Sequence, residues 1–499
     1  MSSISSVTLL YCFCAGLLVL LLVKCMLGQH RSSRSGVSVP CLPRLPVVGS
    51  LLHLRSPLPP HLLFTQLAGK YGSLFGLYVG PHYTLVVSEV SLVREVLLQR
   101  GREFAGRPKM VTTDLLTHGG KDIAFADYNT LWKNHRRLVQ FSFTLFGEGS
   151  NKLQSIVLDA ADSLCEELQT CSGQSLDLSP VLMGAVTNVM CRLVFNSSYQ
   201  PNDPELLKVM DYNNGIIQTI ARGGLVDIFP WLRIFPNKDL DKLKQCISVR
   251  DQLIGKKLLE HKMTLTHGEP CDLLDALLIG QMKGSGGEDN ITDDHVLMTA
   301  AEAFGAGVET TSTTLLWTIA FLLHHPQVQE RIHNELDEVL GRNRPPALSD
   351  RSSLPFLESV VCEVMRIRPV SPILIPHVAM QDTSLGGHTV SKGTRVLVNM
   401  WAIHHDPKHW DEADRFRPER FLDTSGKRIT PESFLPFGAG PRVCVGESLA
   451  RIELFLFISC LLQRFNFSVP SGAPLPDLQG RFGVVLQPKR YTVRVTPRY

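Results

Sequence analysis

The sequence predicts a mostly helical body with small β-sheets, preceded by one N-terminal transmembrane helix. Three observations predict it: an uncharged run from Val7 to Val23, apolar spacing of helical period through most of the chain, and one pair of alternating segments early in the body. Of 499 residues, 44% are hydrophobic and 19% charged, which gives ample surface for a large core and argues against extended disorder. Lys+Arg 50 against Asp+Glu 47 leaves a net charge of +3, so nothing points to nucleic acid as a partner.

The run VTLLYCFCAGLLVLLLV approaches the length of about twenty residues that crosses a bilayer as a helix. The leading MSSISS lacks the basic segment of a cleaved signal peptide, so residues 1–27 read as a retained anchor. Lys24, His30, Arg31 and Arg34 follow it, and the positive-inside rule then places the body in the cytosol. The 12 cysteines have no CxxC spacing and read as reduced thiols, as a cytosolic body requires. The sequons at Asn196, Asn290 and Asn466 are expected to stay unglycosylated. Residues 28–50, basic and then punctuated by Pro40, Pro43 and Pro46, read as a hinge, and 51–499 as one catalytic body.

Within the body, LFGLYVG and YTLVVS alternate and predict two paired strands turning at Gly80-Pro81. Gly284-Ser285-Gly286-Gly287 reads as a connector. The clearest helix starts at Thr292 as N-cap, has Asp293 and Asp294 in its first turn, and stops at His324-His325-Pro326. At about 1.5 Å per residue it spans nearly 50 Å, enough to cross the body. In its middle, Ala306-Gly307-Val308-Glu309-Thr310-Thr311 sets a helix-averse glycine and a carboxylate beside hydroxyls, which predicts a weakened stretch with a function.

The stretch Phe437-Gly438-Ala439-Gly440-Pro441-Arg442-Val443-Cys444-Val445-Gly446 leads into an apolar helix from Glu447. Glycines there let backbone amides approach a sulfur, and a helix N-terminus tempers a thiolate, so Cys444 reads as a metal ligand. The plain alternative is a glycine turn before a helix with an incidental core cysteine.

Phe437-x-x-Gly440-x-Arg442-x-Cys444-x-Gly446 resembles the haem-binding signature of the cytochromes P-450. Glu363-Val364-Met365-Arg366 resembles that family's ExxR helix, and Pro418-Glu419-Arg420-Phe421 its PERF segment, which implies a buried network of Glu363, Arg366 and Arg420. The resemblance implies the cytochrome P-450 fold, with a long central helix over haem b, and Cys444 as axial ligand. Trp132-x-x-x-Arg136, Arg107, His377 and Arg442 are similar to the family's haem-propionate partners. His377 reads equally as a satisfied loop histidine. Glu309 and Thr310 match the oxygen-activation pair, which implies a monooxygenase using O2 and NADPH-derived electrons rather than a non-oxidative haem-thiolate isomerase.

Local strings, among them Gly106-Arg107-Pro108, Ile123 to Asp127 and Tyr212 to Ile217, resemble the steroid 17α-hydroxylase branch. That resemblance implies hydroxylation at carbon 17 of progesterone- or pregnenolone-type steroids. It makes Asn213 the contact to the steroid 3-oxygen, assisted by Arg250. Ala124, Phe125, Ala306, Val370, Ile375 and Val485 become the apolar walls. Partners implied are the endoplasmic reticulum membrane, NADPH-cytochrome P-450 reductase at a basic proximal face, and cytochrome b5. Cys362 stands where dual-function members of the branch carry arginine, which predicts weak 17,20-lyase activity. Hydroxylation at another steroid position and full dual activity stay open as alternatives.

Overall fold

The computed structural model describes Gly16 and residues 39–145, 151–200, 203–221, 224–265, 269–284 and 290–499. The expected anchor over 1–27, except Gly16, lies outside the described residues, as do much of the hinge and most of the glycine connector.

The longer described helices are α1 (Pro60–Tyr71), α2 (Thr130–Thr144), α3 (Asn151–Thr170), α4 (Leu178–Phe195), α5 (Pro204–Ala221), α6 (Lys238–Thr264), α7 (Leu273–Gly284), α8 (Asp293–His324), α9 (Pro326–Val339), α10 (Pro355–Ile367) and α11 (Glu447–Arg464). Strands are short: β1 (Leu74–Val79), β2 (His82–Val87), β3 (Ser175–Leu176), β4 (His377–Val378), β5 (Thr383–Leu385), β6 (His388–Val390), β7 (Arg395–Val398), β8 (Phe465–Ser468), β9 (Arg481–Phe482), β10 (Leu486–Gln487) and β11 (Val493–Pro497). The body is mostly helical with small sheets, as the sequence predicts.

The two expected strands pair antiparallel from Leu74↔Val87 to Val79↔His82, and Gly80 takes a φ of 58° at their turn. They belong to a four-stranded sheet of order β1-β2-β7-β4, in which β2 and β7 run parallel. The described end of the expected hinge is not free. Pro40 and Leu42 bond Gly76 on this sheet's edge strand, Leu42 N donating to Gly76 O at 2.9 Å and Gly76 N to Pro40 O at 2.7 Å. Prolines, which lack a donor, suit such an edge, and residues 40–50 are therefore part of the body.

The main core gathers apolar faces of α3, α4, α8 and α11. Among the described residues one helix, α4, is long and apolar enough to cross a membrane, and it is packed against α8 in this core. Helix α8 begins at Thr292, whose amide donates to His295 Nδ1 at 3.1 Å. It then runs unbroken for 32 residues. The expected weakness at Gly307 is absent, and the glycines instead serve close approach. A Cβ on Gly307 would stand 2.7 Å from Met190 Sδ, and one on Gly305 would stand 3.1 Å from Asn213 Oδ1.

Candidate active site

The Cys444 loop is held in shape by its glycines. Gly438 and Gly440 have φ of 71° and 68°, and a Cβ on Gly440 would lie 1.7 Å from the carbonyl oxygen of Leu97. The Cys444 amide donates to Phe437 O at 3.0 Å. The Gly446 amide bonds the thiol and favours its charged form, while burial, the larger effect, pushes the thiol pKa up. Cys444 nonetheless has an exposed side chain, so its sulfur faces an internal hollow. The charges of Arg136 and Glu302 reach it there.

Behind the loop, the buried Glu363 and Arg366 form a two-point ion pair, Nε to Oε2 at 2.7 Å and Nη2 to Oε1 at 2.8 Å. Glu363 Oε1 also accepts the Arg417 amide at 2.8 Å and Arg420 Nε at 3.2 Å. Arg366 donates its remaining hydrogens to the carbonyls of His404 and Arg415 at 2.6 and 3.3 Å. The structure thus brings Glu363, Arg366 and Arg420 together.

Beside the Cys444 loop, three arginines converge. Asn129 caps α2 by accepting the Trp132 amide at 2.7 Å, which sets Trp132 and Arg136 on one inward face, four residues apart. Arg136 donates to Val443 O, Arg107 to the carbonyls of Ala124, Ile375 and Pro376, and Arg442 to those of Ala105, Ile123 and Ala126. Trp132 Nε1 also donates to Ile123 O, and its ring lies under Arg442 at 4.1 Å. Burial, then mutual repulsion, pushes the pKa of Arg107 down to about 9 and of Arg442 to about 10. His377 Nδ1 bonds Phe104 O at 2.8 Å, and burial beside Arg107 takes its pKa to about 3, so its ring is neutral. A cluster of arginines that repel one another fits an anionic group, and an accessible sulfur fits an iron. The donor set therefore suits haem, with Cys444 as ligand and Arg107, Arg136 and Arg442 toward its carboxylates.

On α8, Glu309 and Thr310 each have a separate partner. Thr310 Oγ1 donates to Ala306 O at 2.8 Å, and Glu309 Oε1 accepts from Gln487 Nε2, whose own Oε1 accepts Arg481 Nη2 at 2.7 Å. Among the described residues Glu309 Oε2 has no partner, and burial raises this carboxyl's pKa. Ala306 is exposed in the middle of a core helix and so faces the hollow. Ala124, Phe125, Val370 and Ile375 are part-buried and Val485 is buried, with Leu486 N bonded to Val370 O at 2.9 Å.

Asn213 is buried on α5 with its amide over Gly305. Arg250, also buried, donates to Asp251 Oδ1 at 2.7 Å and to Leu116 O at 2.8 Å.

Sequence reasoning missed four groups. Glu302 accepts the amides of Ile123 and Ala124. Asp122 lies beside it, and Gln487 tethers Glu309. Glu453 on α11 is wholly buried, with the Thr311 hydroxyl beside it and burial raising its pKa. The visible signal was a carboxylate within an apolar run, two helical turns before Glu309 for Glu302 and inside α11 for Glu453.

A sequence model of the cytochrome P450 family matches residues 39–495. The steroid 17-alpha-hydroxylase/17,20 lyase of Oryzias latipes is 53% identical over 502 residues, 97% of each chain. That of Gallus gallus is 50% identical over 97% of this chain and 98% of its own. A solved structure of a zebrafish cytochrome P450 with progesterone is 77% identical, with a TM-score of 0.82, covering 88% of this chain and all of that one.

Proposed function

The chain belongs to the cytochrome P450 family and is a haem-dependent monooxygenase, and on that premise we propose that it hydroxylates carbon 17 of progesterone- and pregnenolone-type steroids. One observation carries the substrate: the 77% identity with a zebrafish protein solved with progesterone. The pocket agrees with it. Apolar walls from Ala124, Phe125, Ala306 and Ile375 suit a flat steroid, and the buried amide of Asn213 suits an oxygen at its far end.

Haem, when bound, supplies the redox chemistry that splits O2 and oxidises a C–H bond, with Cys444 as its thiolate ligand. The protein's own residues do the rest. Arg107, Arg136 and Arg442 would hold the carboxylates of the bound haem. Glu309, whose pKa burial raises, keeps a proton at higher pH than an ordinary carboxyl, and Thr310 presents a hydroxyl on the same turn to position the water that carries it. Asn213 would anchor one end of the steroid and so set which carbon faces the haem site.

Electrons are proposed to arrive from NADPH-cytochrome P-450 reductase. Lys133 and Arg137 are exposed on α2 while Arg136 points inward, which gives an acidic partner a basic face beside the Cys444 loop. Membrane attachment in the endoplasmic reticulum is supported by an exposed apolar patch of Leu225, Trp231, Ile234 and Phe235. Phe229, within it, packs at Gly80, beside Gly49 at the chain's entry to the body.

We infer weak 17,20-lyase activity. Cys362 is buried at 1% exposure and brings no cation to the surface, which weakens cytochrome b5 docking. Arg428, donating toward Cys362 Sγ at 3.7 Å, favours the dual-activity reading instead by placing a cation nearby. The deciding experiment incubates the full-length protein with reductase, NADPH, O2 and progesterone or pregnenolone, with and without cytochrome b5. A 17α-hydroxysteroid with little C19 product is expected. Abundant C19 product overturns the weak-lyase reading, and no steroid product overturns the substrate.

A further inference from the structure

Residues 121–129 contain neither helix nor strand, so their backbone groups depend on side chains for partners. Charged residues from separate elements supply them. Glu302, on α8, accepts the Ile123 amide through Oε2 and the Ala124 amide through Oε1, both at 2.8 Å. Arg442, from the Cys444 loop, takes the carbonyls of Ile123 and Ala126 at 3.1 and 2.8 Å, and Arg107 that of Ala124 at 2.7 Å. Asp122 Oδ2 closes the turn on the Phe125 amide at 2.8 Å. Arg442 ties the segment's carbonyls to the Cys444 loop, whereas Glu302 ties its amides to α8. The same segment carries Ala124 and Phe125, two of the pocket walls.

We propose that Glu302 is a positioning residue for regioselectivity: it fixes the Ile123–Ala124 wall against α8 and thereby decides which steroid carbon meets the oxidising centre. The proposal rests on the steroid-hydroxylase reading above. A carboxylate that grips two successive amides sets both the distance and the rotation of the peptide between them, which one acceptor does not. Neighbouring steroid carbons are separated by little more than a bond length, and misplacement by about 1 Å is enough to redirect or slow a reaction roughly 100-fold.

Two variants grade the effect. Glu302→Gln keeps the volume but turns an amide donor toward one of the two backbone donors, and Glu302→Ala removes both acceptors. The haem-loaded full-length protein, without steroid, is followed by amide hydrogen exchange across residues 121–128. Products are then identified from progesterone with reductase and NADPH. Exchange at Ile123 and Ala124 is expected to quicken at least 10-fold in Glu302→Ala and by less in Glu302→Gln, with the Cys444 loop unchanged. The share of product hydroxylated away from carbon 17 is expected to rise at least 3-fold, in the same order. A lower melting temperature with an unchanged product distribution would make Glu302 a brace and sink the proposal. Should Glu302→Ala fail to fold, Glu302→Gln carries the same two readings. A wild-type protein that hydroxylates no steroid fails the substrate reading instead, and unchanged exchange at Ile123 and Ala124 then still overturns the wall.

Discussion

The two sides of the hollow bury charge in opposite ways. Behind Cys444, Glu363 takes four donors and Arg366 spends its guanidinium on a carboxylate and two carbonyls, with both residues fully buried. Across the hollow and along α8 and α11, three carboxylates have fewer donors, although Glu302 on α8 has both oxygens bonded. Glu309 and Asp122 each have one oxygen without a partner among the described residues, and Glu453 has only the Thr311 hydroxyl beside it. A buried carboxylate short of donors is costly to ionise, so its pKa rises, whereas guanidinium and amide donors on every side hold a carboxylate in place. The thiolate side is thus a fixed support and the α8 side a store of protons.

The largest break in that contrast comes from the support. Glu363→Gln leaves Arg366 buried with its charge unanswered, at a cost of about 3–5 kcal/mol. The expected outcome is little folded, haem-loaded protein, read as loss of the thiolate absorbance of the carbon monoxide complex. Full recovery of that spectrum would mean the network is dispensable and the contrast misdrawn.

Next comes the proton store. Glu309→Gln retains the Gln487 neighbourhood but holds no transferable proton, and product per NADPH consumed is expected to fall on the order of 100-fold, with peroxide rising. Because burial raises the wild-type carboxyl's pKa, wild-type activity should persist above the ordinary carboxylate range and decline as pH climbs through the raised value. The variant should lack that limb.

How far these two sides could be read from the sequence follows from what each is made of. The support is written in residue identity: glycines that Leu97 and a positive φ require, the ExxR pair, the arginines and the cysteine all leave a pattern. Helix α8 was equally legible, from its Thr292 cap to its His-His-Pro stop. The rest depends on partners that leave no local trace. Glu302 binds backbone amides, which any residue offers, and Gln487 reaches Glu309 from 178 residues away. Gly307 was misread for a related reason, since only the fold brings Met190 against it.

A smaller effect sharpens the contrast by stability alone. Burial pushes the Glu453 carboxyl up to about 8, with the Thr311 hydroxyl only partly opposing. A carboxyl raised in the folded state stabilises it below the unfolded value, near 4.5, and that contribution is lost as pH rises to about 8. Glu453→Gln removes the titration. Its melting temperature should exceed the wild type's by roughly 2 °C or more at pH 8, with the gap closing toward pH 5. A gap that stays constant with pH would mean that Glu453 is already ionised and has a partner.

The smallest effect separates hydroxylation from cleavage. Cys362 is on α10, one residue from Glu363, so it belongs to the fixed side and touches no proposed substrate contact. Cys362→Arg adds a guanidinium where Arg428 already lies, and the longer side chain must leave the core to reach solvent. If the support only holds and docks, 17α-hydroxylation should stay within about 2-fold, because neither Glu309 nor Thr310 is disturbed, while cleavage stimulated by cytochrome b5 should rise several-fold through faster, salt-sensitive encounter. Equal loss of both activities would mean that repacking at Cys362 reaches Glu363, and that docking and support are one structure. No gain in cleavage with hydroxylation intact would remove Cys362 from the explanation of lyase activity, and Arg428, already in place, would be the cation to test next.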